Sequence, residues 1–263
     1  MVGRAGYLAR EMFSQAVLPN PAISGEWSAK DAHNASTSRI SGTLPVLRDY
    51  FDALFAANGA QDWWPGRTPF EVIVGAILTQ NTAWTNVERA IGNLRRERLL
   101  TPRAIRSVAL GRLARLIRSS GYFRQKAKKL RAFVEFLDRE YGGSQSKMFR
   151  TQTAALREQL LGVHGIGPET ADSILLYAGS HPVFVIDAYT RRILERHGLI
   201  PPKSSYEELR QLFERSLPKD AALYNEFHAL IVRTGKGFCR NSAPCCTECP
   251  LKTFLPEGGA VRA

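Results

Sequence analysis

The sequence predicts an all-α fold, and three observations support this prediction. Apolar residues recur every three or four positions along most of the chain, which is the spacing of a helix face packed against a core. No two segments of alternating apolar and polar residues are joined by a tight turn, and no internal repeat is found. Glycine and proline residues separate the periodic segments. We therefore expect about ten helices joined by short turns.

The composition excludes several classes of protein. The chain has 263 residues, of which 44% are hydrophobic and 23% are charged, as in an average globular protein. Its longest apolar run, Val72 to Leu78, is far shorter than the roughly 20 residues that a membrane-spanning helix needs. The N-terminus lacks the apolar stretch of a secretory signal. We expect a cytoplasmic, prokaryotic-type protein with no membrane partner.

The individual elements follow from the periodic segments. Residues 1–43 have no sustained period and are rich in Ser, Ala, Gly and Asn, which predicts a disordered extension. A first helix is expected from Thr43 to Asn58, and a helix from Phe70 to Thr79 is apolar on nearly every side, as a centrally buried helix would be. Further helical patterns cover residues 84–97, 102–108, 110–118, 124–141, 151–161, 168–177, 188–197, 204–216 and 219–233. The apolar run Val183–Ile186 has the length of a strand but no strand partner nearby.

The net charge of +12 is concentrated in one segment. Thirteen lysine and arginine residues lie between Arg95 and Arg131, with Glu97 as the single acid there, so the rest of the chain carries no net charge. A local excess of this kind is typical of a nucleic-acid-binding surface, although solvated helix faces would also explain it. A polyanionic partner is therefore the first functional hypothesis.

A glycine-rich corner lies at Leu161–Asp172. Gly165 and Gly167 flank Ile166 where one helix ends, and Pro168 then opens the next helix at a position where proline is tolerated. Glycines let the backbone approach a ligand and leave amide N–H groups at a helix N-terminus, which suits a DNA phosphate. An ordinary tight corner between helices is the alternative, because short glycine motifs are common.

Asp187 follows the apolar run Val183–Ile186 and precedes a helix. Aspartate is a favoured N-cap residue, and the helix dipole stabilises a negative charge there. The four apolar residues before it suggest a partly buried position. A carboxylate held in this way can stabilise a sugar cation as a base departs, or activate a water molecule. Asp187 is therefore the candidate catalytic residue.

These segments resemble the helix-hairpin-helix DNA glycosylases of the endonuclease III type. In that family, too, a hairpin like Leu161–Asp172 is followed by a Val-Ile-Asp segment like Val185–Asp187. Three more stretches are similar, in the family's order: Ile77–Thr82 to an early buried helix with a Gln-bearing loop, Gly121–Ala127 to a loop that enters DNA, and Phe227–Val232 to the helix before an iron–sulfur loop. The resemblance covers residues 44–255.

The resemblance implies two helical domains with the active-site cleft between them. Residues 70–183 would form a six-helix barrel that contains the helix-hairpin-helix at 161–172. Residues 44–69 and 184–238 would form the second domain, and residues 239–255 a cysteine-rich, iron–sulfur-type loop. The implied activity is that of a base excision repair hydrolase, a monomeric DNA glycosylase that flips a damaged base out of double-stranded DNA. A non-catalytic DNA-binding protein is the alternative from another class.

The resemblance also implies roles for individual residues. Asp187 would be the catalytic carboxylate, and the Gly165-Ile166-Gly167 turn would hold a phosphate. Gln80 and Tyr122 would fill the gap that the flipped nucleotide leaves. The alternatives are a satisfied buried amide for Gln80 and an ordinary surface aromatic for Tyr122.

One position departs from the bifunctional members of this family. Where they carry a lysine that attacks the sugar and cuts the strand, this chain has Glu169. A carboxylate cannot form the Schiff base that an amine forms. We therefore predict a monofunctional glycosylase with weak or absent abasic-site lyase activity. A compensating lysine, with Lys126 or Lys128 as candidates, would instead give a bifunctional endonuclease III-like enzyme for oxidised pyrimidines.

Three tryptophans are the candidate base pocket: Trp63, Trp64 and Trp84. Their positions, together with Glu169, are similar to the 3-methyladenine DNA glycosylase III branch of the family. An alkylated purine is cationic, and aromatic rings discriminate in its favour by stacking and by cation–π attraction. Alkylated purines are therefore the expected substrates, and packing in the core is the alternative for two of the tryptophans.

The cysteines agree with the family only in part. Cys239, Cys246 and Cys249 match three of the four ligands of its [4Fe–4S] loop, whereas Leu255 occupies the fourth place and Cys245 is an additional thiol. Four thiolates normally hold such a cluster. Cys245 could complete the cluster, the cluster could be lost, or the four thiols could bind zinc. Base chemistry requires none of these, and a stiffened loop would present three basic residues to the DNA backbone: Lys236, Arg240 and Lys252.

Overall fold

The computed structural model describes residues 47–61, 63, 66–201 and 203–261. Within these residues the chain forms twelve α-helices and no strand, which confirms the all-α prediction. The helices are α1 (Leu47–Asn58), α2 (Pro69–Leu78), α3 (Trp84–Arg96), α4 (Pro102–Ser107), α5 (Leu110–Leu116), α6 (Phe123–Tyr141), α7 (Gln145–Met148), α8 (Thr153–Leu161), α9 (Pro168–Ser173), α10 (Ala188–Arg196), α11 (Tyr206–Ser216) and α12 (Ala221–Gly237). The predicted extension 1–43 and Trp64 lie outside the described residues. None of the helices described is long and apolar enough to cross a membrane.

Helix boundaries follow local capping signals. α2 begins where Pro69 occupies the first turn and the Thr68 side chain accepts a hydrogen bond from a first-turn N–H. α6 ends at Gly142, whose φ of 61° is a left-handed conformation that glycine adopts without strain. The helix predicted for residues 168–177 changes its winding: α9 ends at Ser173, and the chain continues as a π-helix over Ile174–Ala178. Such π-helical turns often occur near functional sites.

Two hydrophobic cores organise the described helices. The first is built mainly from α2 to α9, and the second joins α1 to α10, α11 and α12. α2 contributes to both, because Ile73 packs in the first core and Val72 in the second. All of Phe70–Leu78 is buried, as the sequence predicted, and each large apolar side chain among them contributes about 1.5–3 kcal/mol. The domain boundaries implied by the resemblance stay a prediction.

The apolar run Val183–Ile186 is a buried segment outside any helix and without a strand partner among the described residues. Two of its backbone N–H groups instead donate to side chains of α11, one to Glu214 and one to the Tyr206 hydroxyl. Side-chain acceptors thus satisfy groups that a neighbouring strand would otherwise pair. These contacts fix the segment that leads directly into Asp187 at the start of α10.

Candidate active site

Asp187 caps the N-terminus of α10. Its Oδ1 accepts a hydrogen bond from the backbone N–H of Thr190 at 2.8 Å and another from the Thr190 hydroxyl at 3.0 Å. The Asp187 side chain is 14% exposed. One carboxylate oxygen is therefore committed to the helix cap, as the sequence predicted for an N-cap aspartate, and Oδ2 takes no part in that cap.

A buried polar pair faces Oδ2 of Asp187. Nε2 of His228, in the middle of α12, lies 3.6 Å from this oxygen, and Nδ1 of His228 lies 2.6 Å from the Tyr177 hydroxyl. Burial lowers the pKa of His228, and the charge of Asp187 raises it by less, so the imidazole is neutral at pH 7. Burial likewise raises the pKa of Tyr177 well above its ordinary value, so the phenol keeps its proton. The pair is therefore uncharged.

Glu169 lies in the first turn of α9, close enough to Asp187 for the two carboxyl groups to interact. Glu169 is an exposed residue whose carboxyl group is partly desolvated by neighbouring protein. This desolvation, followed by the charge of Asp187, raises the pKa of Glu169 to about 7. Neighbouring carboxyl groups, one of them with a raised pKa, are a common feature of active sites.

Trp63 is half-buried against the second core. The ammonium of Lys236 lies 5.7 Å from the centre of its ring, within the range of a cation–π contact. Desolvation lowers the pKa of Lys236, and the carboxylates of Asp187 and Glu88 raise it. The sequence placed Lys236 on the cysteine loop, but it belongs to the last turn of α12 and shares the electrostatic environment of Asp187.

Trp84 opens α3 and is half-buried against the first core. Its indole N–H donates to Oε1 of Glu88 at 2.9 Å. Because Glu88 also acts on Lys236, both described tryptophans of the predicted base pocket lie near one set of charged groups. Their contact with a base stays a prediction.

The hairpin turn contains two glycines with different structural roles. Gly165 has φ of +81°, and a Cβ built there would come within 2.4 Å of the Lys129 side chain. The backbone conformation and the lack of space therefore both favour glycine at this position. Gly167 has open space where a Cβ would lie. Neither N–H donates a hydrogen bond to another described residue, whereas Ile166 is buried and its N–H donates to Val163. The two glycines therefore leave donors free for an anion, and Ile166 supplies packing.

Gln80 and Tyr122 line one cavity of about 170 Å³. The Gln80 amide donates to the Gly165 carbonyl at 3.1 Å and to the Thr170 hydroxyl at 2.8 Å, which ties it to the hairpin. Tyr122 is 71% exposed and has φ of 44°, a strained conformation for an aromatic residue. The structure thus brings the two predicted gap-filling residues together, while the Gln80 amide is satisfied as the alternative interpretation required.

The two candidates for a compensating lysine, Lys126 and Lys128, have other positions in the fold. Nζ of Lys126 is buried and donates to the carbonyls of Leu78 at 2.8 Å and Ser120 at 2.6 Å. Burial, and then the charge of Lys129, lowers the pKa of Lys126 to about 8. Lys126 therefore braces the end of α2, and Lys128 is exposed on α6.

Part of the basic segment is engaged within the protein. Three of its arginines pair with carboxylates, namely Arg95 with Glu71, Arg106 with Asp138, and Arg112 with Glu97. Arg131 donates to the carbonyl of Val108. The charge available to a polyanion is consequently smaller than the sequence count suggests, because paired arginines are partly neutralised.

The cysteine loop does not present four ligands to one point. Cys239, Cys246 and Cys249 line a cavity of about 10 Å³ together with Leu255, and this space is about that of one water molecule. Cys245 lies outside that lining, where its Sγ accepts from the Arg240 guanidinium. Within the described residues no three Cys, His, Asp or Glu side chains are arranged to hold a metal ion. The donor set therefore does not fit a four-thiolate cluster completed by Cys245.

Arginine side chains hold this loop against α10. Nε of Arg192 donates to the Cys239 carbonyl at 2.7 Å, and Nη1 of Arg196 donates to the Arg240 carbonyl at 2.7 Å. A guanidinium can bond several carbonyls at once because its donors form a fixed fork. The loop that follows α12 is thus attached to the helix that carries Asp187 at its other end.

Sequence reasoning missed three residues around Asp187, namely Tyr177, His228 and Lys236. The sequence gives His228 a place in a family-like helix without a role, and Tyr177 a place at the end of a predicted helix. A polar residue between Phe227 and Ala229, one turn before Ile231 and Val232, is the one local signal for His228. The contacts that join these residues to Asp187 depend on packing between distant parts of the chain.

Comparisons with known proteins agree with this geometry. The chain matches the family model described as HhH-GPD superfamily base excision DNA repair protein over residues 74–219. A putative DNA repair glycosylase of Methanocaldococcus jannaschii is 48% identical over 211 residues, which are 80% of this chain and 92% of that protein. Endonuclease III of Thermotoga maritima is 30% identical over 184 residues, which are 70% of this chain and 81% of that protein.

A solved structure shares the fold as well. The 3-methyladenine DNA glycosylase of H. pylori, bound to 1,N6-ethenoadenine, is 30% identical and has a TM-score of 0.62. The similarity covers 72% of this chain and 96% of that one. The fold, the hairpin and these similarities confirm the predicted family: the chain belongs to the endonuclease III-like HhH-GPD superfamily of base excision DNA repair proteins.

Proposed function

We propose that this DNA glycosylase is monofunctional and hydrolyses the N-glycosidic bond of a flipped base with Asp187 as its catalytic carboxylate. The observation that carries the proposal is that the two carboxylate oxygens of Asp187 have different contacts. Oδ1 is fixed by Thr190, whereas Oδ2 takes no part in the cap and lies 3.6 Å from Nε2 of His228. A carboxylate oriented in this way can stabilise positive charge that develops on a sugar.

The chemistry follows from this orientation. The bond between C1′ and the base nitrogen breaks, and the base leaves with the electron pair. A water molecule then attacks C1′, its oxygen forms the new bond, and a carboxylate accepts the released proton. Asp187 is our candidate for both charge stabilisation and proton acceptance. Glu169 occupies the place of the lyase lysine and offers no amine, which supports water as the nucleophile.

Alkylated purines are the proposed substrates. A purine that carries a positive charge through alkylation leaves as a neutral base and needs no proton from the enzyme. Trp63 and Trp84 supply aromatic surface beside Lys236 and Glu88, two groups in the electrostatic surroundings that Asp187 shares, and aromatic faces attract cations. The H. pylori relative named for 3-methyladenine belongs to the same fold.

Phosphate binding by the hairpin completes the proposal. The N–H groups of Gly165 and Gly167 have no acceptor among the described residues, and open space lies over Gly167. A DNA phosphate fits such a position. Gln80 and Tyr122 would then enter the duplex from their shared cavity, once Gln80 releases the hairpin.

A second candidate, a bifunctional enzyme that acts on oxidised pyrimidines, is favoured by Lys236. Desolvation lowers the pKa of this amine, which suits a nucleophile, and the charge of Asp187 opposes that shift. Its ammonium also occupies the face of Trp63 that a cationic base would use. Lys236 is therefore a better candidate for a compensating lysine than Lys126.

Borohydride trapping on abasic DNA separates the two candidates, because only a Schiff base is captured. We expect no trapped complex with the wild-type chain. A complex that forms with wild type and disappears in Lys236→Gln would establish the bifunctional reading instead. The matched control is Lys128→Gln, which removes an exposed lysine of α6.

Base excision tests the role of Asp187 and the substrate class together. Duplexes that contain 3-methyladenine, 1,N6-ethenoadenine or thymine glycol are incubated with wild type and with Asp187→Asn. We expect excision of the cationic 3-methyladenine by wild type, slower excision of the neutral 1,N6-ethenoadenine, and a loss of at least ~100-fold in Asp187→Asn. The Asn keeps the N-cap, so folding and DNA binding are expected to persist. Normal turnover by the folded variant would remove Asp187 from the mechanism.

A further inference from the structure

His228 is a buried histidine with one unsatisfied ring nitrogen. Nδ1 lies 2.6 Å from the Tyr177 hydroxyl, whereas Nε2 is buried and has no hydrogen-bond partner among the described residues. Oδ2 of Asp187 lies 3.6 Å from Nε2, slightly beyond hydrogen-bond distance. Buried polar atoms without a partner are rare in native proteins, and each calls for a physical explanation.

A second buried histidine shows what a purely structural role looks like. His181 is as buried as His228, but Thr153 satisfies its Nδ1 at 2.9 Å and the Phe149 carbonyl lies 3.1 Å from its Nε2. Both ring nitrogens of His181 thus have a hydrogen-bond partner. The unpaired Nε2 therefore distinguishes His228 from a histidine that only fills the core.

The hydrogen-bond polarity around His228 can be assigned from its neighbours. The indole N–H of Trp63 lies close enough to the Tyr177 hydroxyl to lower its pKa, although it falls short of full hydrogen-bond geometry. An indole nitrogen can only donate, so the assignment that suits Trp63 has the Tyr177 oxygen receiving from that side and the Tyr177 proton shared with Nδ1 of His228. A neutral imidazole that accepts at Nδ1 carries its proton at Nε2. The N–H of His228 is therefore directed at Oδ2 of Asp187.

We propose that His228 is a positioning residue, which orients the Asp187 carboxylate for base excision by presenting Nε2–H to Oδ2 while Tyr177 fixes its tautomer. This inference rests on the proposed catalytic role of Asp187. The gap of 3.6 Å closes when the flipped nucleotide is bound, because catalytic hydrogen bonds are often long in ligand-free enzymes and shorten in the complex. Thr190 and His228 then hold the two oxygens of one carboxylate from two different helices.

Other charged and aromatic groups surround the Tyr177–His228–Asp187 series and act on the charge of Asp187. Asp187 is also influenced by Glu169 on α9 and acts on Lys236 on α12, while Trp63 and Phe184 contribute aromatic surface. Removing the His228 donor leaves the ionised form of Asp187 with less support. The acid limb of the excision rate should then move to higher pH, a change that a loss of packing alone would not produce.

Single-turnover excision and DNA affinity of four variants test the proposal. We expect His228→Phe to lower the excision rate by about 10- to 100-fold, the range typical of groups that orient a catalytic ligand, and to move the acid limb upward. The dissociation constant for DNA with a non-cleavable abasic analogue should stay unchanged. His228→Gln, whose amide can donate to Asp187, should recover most of the rate. Tyr177→Phe should fall between these two, and His181→Gln should lower stability without changing rate or pH profile.

The outcomes separate failure of this inference from failure of the proposed function. If Asp187→Asn is inactive while His228→Phe keeps the wild-type rate and pH profile, His228 has no positioning role. The proposed role of Asp187 in base excision is then still supported. If Asp187→Asn is itself active, the proposed function fails first. Should His228→Phe not fold, Tyr177→Phe and His228→Gln carry the test, and an unchanged rate and pH profile in Tyr177→Phe overturns the role proposed for the Tyr177–His228–Asp187 series.

Discussion

Asp172 and Asp187 lie on either side of one π-helical turn and have opposite environments. Asp172 is fully buried: the Arg157 guanidinium donates to both of its oxygens, at 2.7 and 3.1 Å, and the Tyr206 hydroxyl donates at 2.8 Å. Among the described residues, hydrogen bonds reach only Oδ1 of Asp187. A carboxylate whose acceptors are all used can stabilise a fold, whereas one with an open oxygen can act on a ligand.

The charge balance at Asp172 supports its structural assignment. Burial raises the pKa of Asp172, and the hydrogen bonds and charge of Arg157 lower it, followed by the Tyr206 hydroxyl. Arg157 also pairs with Glu207 on α11, so the network ties α8 and α9 to α11. Removing one partner from such a network leaves an uncompensated buried charge.

The largest effect on stability is expected for Asp172→Asn. We predict a loss of about 3 kcal/mol in the free energy of unfolding, the lower end for a broken buried pair, because Glu207 still accepts from Arg157. Urea unfolding measures this loss. Excision per folded molecule should remain near wild type, and Asp187→Asn is the control whose midpoint should barely move. Equal destabilisation by both variants would erase the contrast between the two carboxylates.

The next effect concerns Gly167, the N-cap residue of α9. Gly167→Asp places a negative charge where we propose a phosphate, and open space around Gly167 accommodates the side chain. Binding to damaged and undamaged DNA should weaken alike, by about tenfold, as for loss of one charge-assisted contact. Gly167→Asn has nearly the same shape without the charge and should weaken binding less. A changed lesion preference at unchanged affinity would contradict the phosphate assignment.

A smaller, pH-dependent effect is expected at Glu169. Its pKa of about 7 in the folded chain lies above the ordinary value of 4.5, so the folded state binds this proton more tightly. The resulting stability is complete below the ordinary pKa and is lost as the pH rises through 7. Glu169→Gln cannot undergo this loss. Its melting temperature relative to wild type should therefore rise between about pH 5 and about pH 8.

The double variant Glu169→Gln with Asp187→Asn is the matched control for that experiment. Without the charge of Asp187, Glu169 loses one of the two causes of its raised pKa. The pH-dependent rise in relative melting temperature that Glu169→Gln causes should therefore be smaller in the Asp187→Asn background than in wild type. An identical rise in both backgrounds would mean that the two carboxyl groups do not interact.

The smallest effect on base excision is expected from metal removal. Cys245 accepts a hydrogen bond from Arg240, and Leu255 lies beside the other three cysteines where a fourth ligand would be needed. Anaerobically purified protein should therefore contain far fewer than the roughly four irons of a complete cluster. A chelator should leave excision unchanged. Near four irons per chain, with activity lost on chelation, would show that the anchorage of α10 and Asp187 depends on metal rather than on Arg192 and Arg196.

What the sequence predicted well was local or carried by short motifs. Apolar spacing located the helices, because a helix face is set by residues three and four apart. Asp187 was assigned as an N-cap from its immediate neighbours, and Glu169 was read by counting along the hairpin. The change to a π-helix after Ser173 and the short helix α7 were missed, since packing rather than propensity sets such details.

The sequence by itself determined the helical class, the hairpin and the family, because capping signals, helical spacing and ordered motifs are properties of neighbouring residues. Only the tertiary structure decided which groups surround the reactive carboxylate. Tyr177 and His228 are 51 residues apart in the chain, and their contact exists because the π-helix and α12 pack in one core. The structure likewise decided that Lys126 is a buried brace and that Cys245 bonds to Arg240. Burial and distance between remote segments set these roles, and neither is written in local spacing.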